Sequence, residues 1–440
     1  MKKVWIIGAL SLLALLVVAM AGVHRWFNPP PPPVQLFTNG TILTMDPGNP
    51  RADAMLVKRG EIVALGASDT LRDQVSRDVR VVDLQGGVLM PGFIEAHGHF
   101  PGEGLSAVAV DANSPPIGDL DSIATLLERL RTLSQRRLDG ALLAYGFDDT
   151  TVSDQRYPTR AELDTISDTR PIMVLHISGH LGVVNSAALK AMSISENVED
   201  PPGGYYGRDD DGRLNGLLAE TAFNPVRANI LKLSAIDGYR VMRRASRLYL
   251  SRGITFAQNG LADTTTIKAL VPALRFGLIP LRLSVWPEAA AEEARKDGQW
   301  TLPEGERIHL GPVKLVSDGS LQGYTGFLEE PYYRVPDDHP PEYLGFPNQS
   351  PQQLARQVVQ FHCAGRQTAI HANGDAAITM SLDAVAQARQ QCPEVAVQPV
   401  LIHAQMATRD QLARMQALDV SLAFVNNHVC FWGDRHRDLF

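Results

Sequence analysis

The chain opens on an apolar run, Val4 to Val23, preceded by Lys2 and Lys3. That run is about the length a helix needs to cross a bilayer. Its basic flank points the N-terminus toward the cytoplasm. Residues 1–25 therefore read as a signal anchor, or as a signal peptide with Ala19-Met20-Ala21 as a small-residue cleavage site. Either reading places the rest of the protein, membrane-anchored or exported, in the periplasm or another extracytoplasmic space. Pro29 to Pro33 follow, so residues 26–33 read as a stiff polyproline linker.

From Val34 the pattern switches to short β-rich runs separated by turns. "VQLFTNGTILTM" carries Asn39-Gly40 between two such runs, and "AMLVKRGEIVALG" carries Arg59-Gly60. Both predict hairpins. Residues 34–90 thus predict a small β-sandwich unit.

After Gly92 strands alternate with helices. Ile123, Leu126, Leu127, Leu130 and Leu133 share one helical face, with Asp121 or Ser122 as cap. A helix over about 236–252 precedes "ITFAQNG", and one over about 265–276 precedes "PLRLSVWP". "GPVKLVSDGS" is the next strand. A helix with Ser350 as cap and Pro351 at its first position leads to "QTAIHANGD". "PVLIHAQ", a helix capped by Thr408, and "VSLAFVNNH" complete the series. Strands apolar along their length, alternating with helices, predict an α/β parallel sheet covered on both faces. Seven such strands suggest a TIM-type (β/α)8 barrel over 91–440 lacking its last strand, with an insertion at about 101–235 that shapes the substrate site. A doubly wound open sheet is the alternative, weakened because no glycine phosphate fingerprint follows the first strand.

Composition changes this picture little. Of 440 residues, 45% are hydrophobic and 20% charged, which is ordinary for a globular chain. A formal net charge of −7, with no basic stripe, argues against a nucleic-acid partner. Cys363, Cys392 and Cys430 show neither a disulfide framework nor a thiolate zinc pattern, so free thiols are expected.

The chemistry gathers at strand ends. His97 and His99, in "VLMPGFIEAHGHF", are two residues apart, so in extended backbone both point to one side. His371 ends "QTAIH" and His403 ends "VLIH". Four imidazoles at equivalent strand ends make a divalent metal site. Lys314 lies inside an apolar strand, where an ammonium is paired (Asp318 is the near acid), neutral or modified. Carbamylation by CO2 would turn it into a bridging carboxylate.

On these stretches, together with "NGTILTMD", "HISGHLGVVNSAAL", "GRLNGLLAE" and "AIHANGDAAI", the chain resembles the metal-dependent amidohydrolase superfamily. Within it the resemblance is to the amidohydrolase-3 group of YtcJ-like proteins and N-substituted formamide deformylase. It runs from about Val34 to Phe440. It implies His97, His99, His371 and His403 as metal ligands and Lys314 as a carbamylated bridge. It implies one or two ions, with zinc first. His180 and Asn185 match the substrate-loop motif, with Ser178 in place of the usual acid. His180 is also a catalytic candidate. Asp148, His428 and Glu220 are further substrate-binding candidates.

The implied reaction is hydrolysis of a non-peptide carbon–nitrogen bond in a small amide or formamide, by attack of a metal-activated hydroxide. A deaminase or a cyclic-amide hydrolase is the alternative. The group also needs an aspartate at the end of strand eight, and the chain ends at "FWGDRHRDLF", with Asp434 and Asp438 in a different context. A fragment, or an inactive metal-binding remnant, is therefore a further reading. A homo-oligomer is left open.

Overall fold

A computed structural model describes residue 22 and residues 33–76, 79–303, 305, 307–335 and 339–439. The chain divides into two compact units. One comprises Met1–Glu95, Tyr249–Ala257 and Leu270–Arg282; the other comprises Ala96–Leu248, Gln258–Ala269 and Leu283–Phe440.

In the first unit, Glu61–Gly66, Ala54–Lys58, Val34–Thr38 and Arg80–Asp83 form a four-stranded sheet in that order. Leu36, Ala54 and Leu56 from this sheet pack with Leu71 of the helix Ser68–Asp73. The Arg59-Gly60 hairpin forms, with Lys58 opposite Glu61. Both loop residues have positive φ, 54° and 87°, as the twist-matched two-residue turn requires.

The Asn39-Gly40 hairpin does not form. Val34–Thr38 pairs with Ala54–Lys58 and Arg80–Asp83, whereas Thr41–Leu43 joins a separate sheet between Arg51–Ala52 and Val88–Leu89. Asn39-Gly40 is instead a crossing point. Asn39 donates to Asp83 Oδ1 at 2.7 Å, and a Cβ on Gly40 would lie 2.5 Å from the Gly87 carbonyl oxygen. A local turn signal cannot tell these two uses of Asn-Gly apart.

In the second unit, the insertion folds as a six-stranded mixed sheet. Its order is Gly204–Arg208, Leu214–Glu220, Leu181–Val184, Ile172–His176, Leu142–Phe147 and Val110–Asp111. The helix Ile123–Arg136 is capped by Ser122, whose hydroxyl accepts from Thr125 N. It buries Ile123, Leu126 and Leu130 against this sheet.

Val313–Val316, Thr368–Ala372, Val400–His403 and Ser421–Ala423 form a wholly parallel sheet. The helices Pro351–Cys363, Asp375–Gln391 and Arg409–Ala417 alternate with its strands, and their apolar faces share one core with it. A further sheet has the order Ile308–Leu310, Arg282–Pro287, Ile254–Ala262 and Phe93–Ile94. Ile308–Leu310 was not anticipated, because three residues are too short for a pattern to register. An isolated parallel bridge pairs Glu288 with Lys314. The α/β alternation is thus present. Among the described residues it takes the form of two four-stranded sheets.

Two expectations need correction. No helix among the described residues is long and apolar enough to cross a membrane. The longest, Ala235–Ser251 and Asp375–Gln391, have 17 residues each. That is about 25 Å of helix against a hydrocarbon core of about 30 Å. The membrane-spanning helix is therefore withdrawn from the fold, and residues 1–25, to which it was assigned, lie outside the described residues apart from Gly22. Second, Cys363 and Cys392 are joined in a disulfide, leaving Cys430 as an exposed free thiol. Cys363 closes one helix and Cys392 caps the next. The two helices pack side by side, bringing these Cα atoms within 5.5 Å. Linear spacing does not reveal that meeting of helix ends.

Candidate active site

Lys314 stands between Val313 and Leu315 in a buried strand and is itself 4% exposed. Loss of water drives its amine down to about 7. Asp318 does not serve as its counter-ion. Its carboxylate accepts instead from Asn373 N at 2.9 Å, Gly374 N at 2.8 Å and Phe327 N at 3.1 Å. Burial still pushes Asp318 up to about 7 against those three donors.

Parallel register places the next two histidines beside this lysine strand. Val316 pairs with His371, and Ala372 pairs with His403. His371 Nε2 lies 3.0 Å from the Gly319 carbonyl oxygen. Nε2 also lies 3.1 Å from Asn373 Nδ2, so the carbonyl and the amide together engage Nε2. Such a backbone brace behind a ligand is how proteins orient metal-binding imidazoles. His403 and Ala404 leave their strand with φ of 74° and 46°. Left-handed backbone at two successive non-glycine residues is unfavourable and concentrates at functional sites.

His97 and His99 enter from a different element. Gly98 N donates to Gln258 Oε1, Phe100 N to Gln258 O, and Gly260 N to Gly98 O. His99 forms an antiparallel bridge with Asn259. Gly260 is required here, since a Cβ would sit 2.9 Å from His97 Cε1.

The rings form a connected cluster. Centroid distances are 5.2 Å for His97–His99, 5.7 Å for His97–His403 and 4.6 Å for His371–His403. Both ring nitrogens of His97, and Nδ1 of His403, are buried without a hydrogen-bond partner. Desolvation, aided by the Lys314 charge, drives His97 down to about 4. Desolvation and neighbouring cationic groups likewise hold His371 and His403 well below the usual range. Neutral, unpartnered, buried imidazoles are what a divalent cation needs, because a protonated ring cannot ligate.

The insertion adds His180, whose ring lies 4.9 Å from that of His371. His180 Nδ1 is 3.0 Å from Glu220 Oε2, and Glu220 is 1% exposed. His428 sits 5.7 Å from His403 with Nδ1 unpartnered, but on the helix Asn427–Leu439 rather than at a strand end. Asn185 does not join this group. It caps the helix Ser186–Ala191, and its amide serves Ile172 N, Ala188 N, Ser167 O and Arg170 O. That leaves it a local structural task rather than substrate contact.

Asp148 belongs to a second constellation. Among the described residues, the one group of three or more His, Cys, Asp or Glu whose ligand atoms all lie within 4.8 Å is Asp148, Asp149 and His176. The strand-end histidines are looser than that. Hydrogen bonding already engages Asp148 and His176 Nδ1 of the compact trio, while Asp149 Oδ1 is buried without a hydrogen-bond partner. Asp148 accepts from Thr150 N, Thr150 Oγ1 and Trp432 Nε1. His176 Nδ1 accepts from Ser178 N, which leaves Nε2–H facing Asp149 at 3.4 Å. The fit to an ion is better at the histidines, where three ring nitrogens are orphaned, than at the trio, where one carboxylate oxygen is.

Sequence reasoning missed His176 and Asp149, and named Asp318 only as a partner for Lys314. His176 carried the available signal, because "IMVLH" has the same apolar-run-then-histidine form as "VLIH". Arg227, donating to Gly179 O at 2.6 Å, was also missed and had no motif to mark it.

Comparisons with known proteins show what the chain is similar to. The chain is 28% identical over 397 residues to the putative amidohydrolase YtcJ of Bacillus subtilis, covering 88% of this chain and 72% of that one. It is 28% identical over 417 residues to the N-substituted formamide deformylase of Arthrobacter pascens, covering 91% and 74%. The chain spans 60% of the length of a plant relative. In fold it is similar to an uncharacterized metal-dependent hydrolase of Pyrococcus horikoshii, with a TM-score of 0.69 at 23% identity over 91% of this chain and 76% of that one. The amidohydrolase family model matches residues 80–439. The strand-end histidines, the parallel α/β architecture and that match lead to one conclusion: the chain belongs to the amidohydrolase family, whose members are hydrolases of carbon–nitrogen bonds and whose site implies a divalent metal.

Proposed function

We propose that this protein hydrolyses a non-peptide carbon–nitrogen bond in a small amide, with an N-substituted formamide as the first substrate class to test. The observation that carries the reading is the cluster of His97, His99, His371 and His403 around buried Lys314, with orphaned nitrogens on His97 and His403. Likeness to a formamide deformylase supports the substrate class.

The four imidazoles are the donors that would hold the ion, with zinc favoured by an all-nitrogen set. Such an ion supplies Lewis acidity toward a carbonyl and lowers the pKa of water. The chain's own residues do the rest. The Gly319 carbonyl and the Asn373 amide brace the His371 ring through Nε2. Lys314, desolvated to a pKa of about 7, presents an amine that is about half uncharged at neutral pH. The uncharged form takes up CO2 to become a carbamate, the ligand assigned to it by the reading. His180 stands over His371, where a bound amide would meet it.

The test is hydrolysis of N-benzylformamide by the full chain, supplied with zinc and bicarbonate. The expected result is amine release that disappears in His371→Ala. Turnover persisting in that variant would refute the reading. We also infer export from the cytoplasm, supported by the Cys363–Cys392 disulfide, since cytosolic thiols are kept reduced. Cell fractionation checks this, and a cytosolic protein with both thiols reduced would overturn it.

A further inference from the structure

Glu220 is held in a more elaborate way than packing requires. The strands Leu181–Val184 and Leu214–Glu220 pair antiparallel, with Leu181 opposite Ala219, and Glu220 N donates to His180 O at 2.8 Å. At that point the Glu220 backbone turns to φ 51°. A side-chain-bearing residue adopts that conformation only where its surroundings over-determine it. Its carboxylate is shared among three donors. Thr325 Oγ1 reaches Oε1 at 2.8 Å, and Asn348 Nδ2 reaches Oε2 at 3.1 Å. Ser320 N donates to Thr325 Oγ1, which frees the threonine hydrogen for Glu220. The third partner is His180 Nδ1 at 3.0 Å. Gly319 makes room for this arrangement, since a Cβ there would fall 1.9 Å from Oε1.

A carboxylate only accepts, so Nδ1 of His180 must carry the hydrogen. In free neutral imidazole side chains the other tautomer, protonated at Nε2, is preferred. Glu220 therefore holds His180 against its intrinsic preference. Among the described residues no hydrogen bond is made by His180 Nε2, and its ring lies 4.9 Å from that of His371.

We propose that Glu220 is a positioning residue that locks His180 in the Nδ1–H tautomer, so that Nε2 is a lone-pair acceptor for the N–H of a secondary amide substrate. The substrate half of this inference rests on the proposed amide hydrolysis; the tautomer half does not. A carbonyl brought to the strand-end histidines carries its nitrogen on the adjacent atom, within reach of a ring that lies beside His371 and is tilted 53° to it. An acceptor there favours secondary over tertiary amides, because a tertiary amide leaves it unpaired.

The test has two readouts on the full chain. In protein labelled with ¹⁵N-histidine, the His180 signals are those absent from His180→Gln. Long-range ¹H–¹⁵N correlation is expected to show a protonated Nδ1 and a bare Nε2. The pattern should persist in Glu220→Gln, whose amide oxygen still accepts, and collapse in Glu220→Met, which offers no acceptor. A wild-type Nε2–H tautomer, or an unchanged pattern in Glu220→Met, would overturn the lock. The wild-type spectrum decides even if Glu220→Met does not fold. For the substrate half, the ratio of kcat/KM for N-benzylformamide to that for N-benzyl-N-methylformamide is compared. The expected ratio is about tenfold or more in the wild type and in Glu220→Gln, falling by about tenfold in Glu220→Met. An equal ratio in all three would overturn the N–H contact. No turnover of either compound would overturn the proposed substrate class while leaving the tautomer result standing.

Discussion

Replacing Gly319 by alanine tests how tightly the site is braced. Gly319 N donates to Thr325 O, and its carbonyl oxygen takes His371 Nε2 and Asn373 Nδ2. An added Cβ would lie 1.9 Å from Glu220 Oε1 and 2.1 Å from Thr325 Oγ1. Ordinary contact needs about 3.5 Å, so these atoms must retreat by roughly 1.5 Å. Overpacking of this kind costs about 1–3 kcal/mol. Losing the buried Thr325–Glu220 hydrogen bond costs about 1 kcal/mol more. Reduced freedom of the unfolded chain returns about 0.4–1 kcal/mol. The net expectation is a loss of about 1–3.5 kcal/mol, read as a lower urea midpoint at constant slope. The same displacement loosens His180 and His371 together, so amide turnover should fall as well. Stability within about 0.5 kcal/mol of the wild type, with full activity, would refute the packing of Glu220 against Gly319.

The strand-end histidines should make the metal-free protein lose stability in mild acid. Unfolded imidazoles take a proton near 6.5, whereas His97 resists until about 4, and His371 and His403 are also lowered. At these histidines the unfolded chain binds more protons between those limits, so their contribution to stability is complete above about 6.5 and falls as the pH drops toward 4, while Asp318, raised to about 7, works in the opposite sense. Urea midpoints at pH 7.5 and 5 measure this, and His97→Gln should flatten the difference. The disulfide closes a separation of 29 residues, for which chain entropy gives about 3.6 kcal/mol. Cys363→Ser with Cys392→Ser should lose up to that amount in thermal or urea unfolding. In the wild type, alkylation without reductant should tag Cys430 alone.

The parts of the fold that were legible in the sequence are those written in local pattern. Ser350 and Thr408 cap helices where polar residues precede apolar periodicity, with Pro351 beginning its helix as its fixed φ suits. The buried strands carrying Lys314, His371 and His403 show as short apolar runs ending in chemistry. What escaped depends on meetings between distant segments. The Asn39-Gly40 crossing is set by the 84–87 turn, and the disulfide by two helix ends. Asp318 read as a partner for Lys314, yet the backbone at 373–374 and Phe327 claims its oxygens. Asn185 read as a substrate contact because its motif is shared, but the four bonds that occupy its amide come from residues 13 or more away as well as from its own helix. The Glu220–His180 pair, 40 residues apart, becomes visible only when two strands align.

Metal stoichiometry tests the central claim most directly. The full chain, loaded with zinc and dialysed, is analysed by inductively coupled plasma mass spectrometry beside His97→Ala, His371→Ala and Asp149→Asn. If the strand-end histidines hold the ion, the wild type and Asp149→Asn retain at least about one equivalent, while each histidine variant loses it. Retention in both histidine variants with loss in Asp149→Asn would place the metal at Asp148, Asp149 and His176, and would contradict the account.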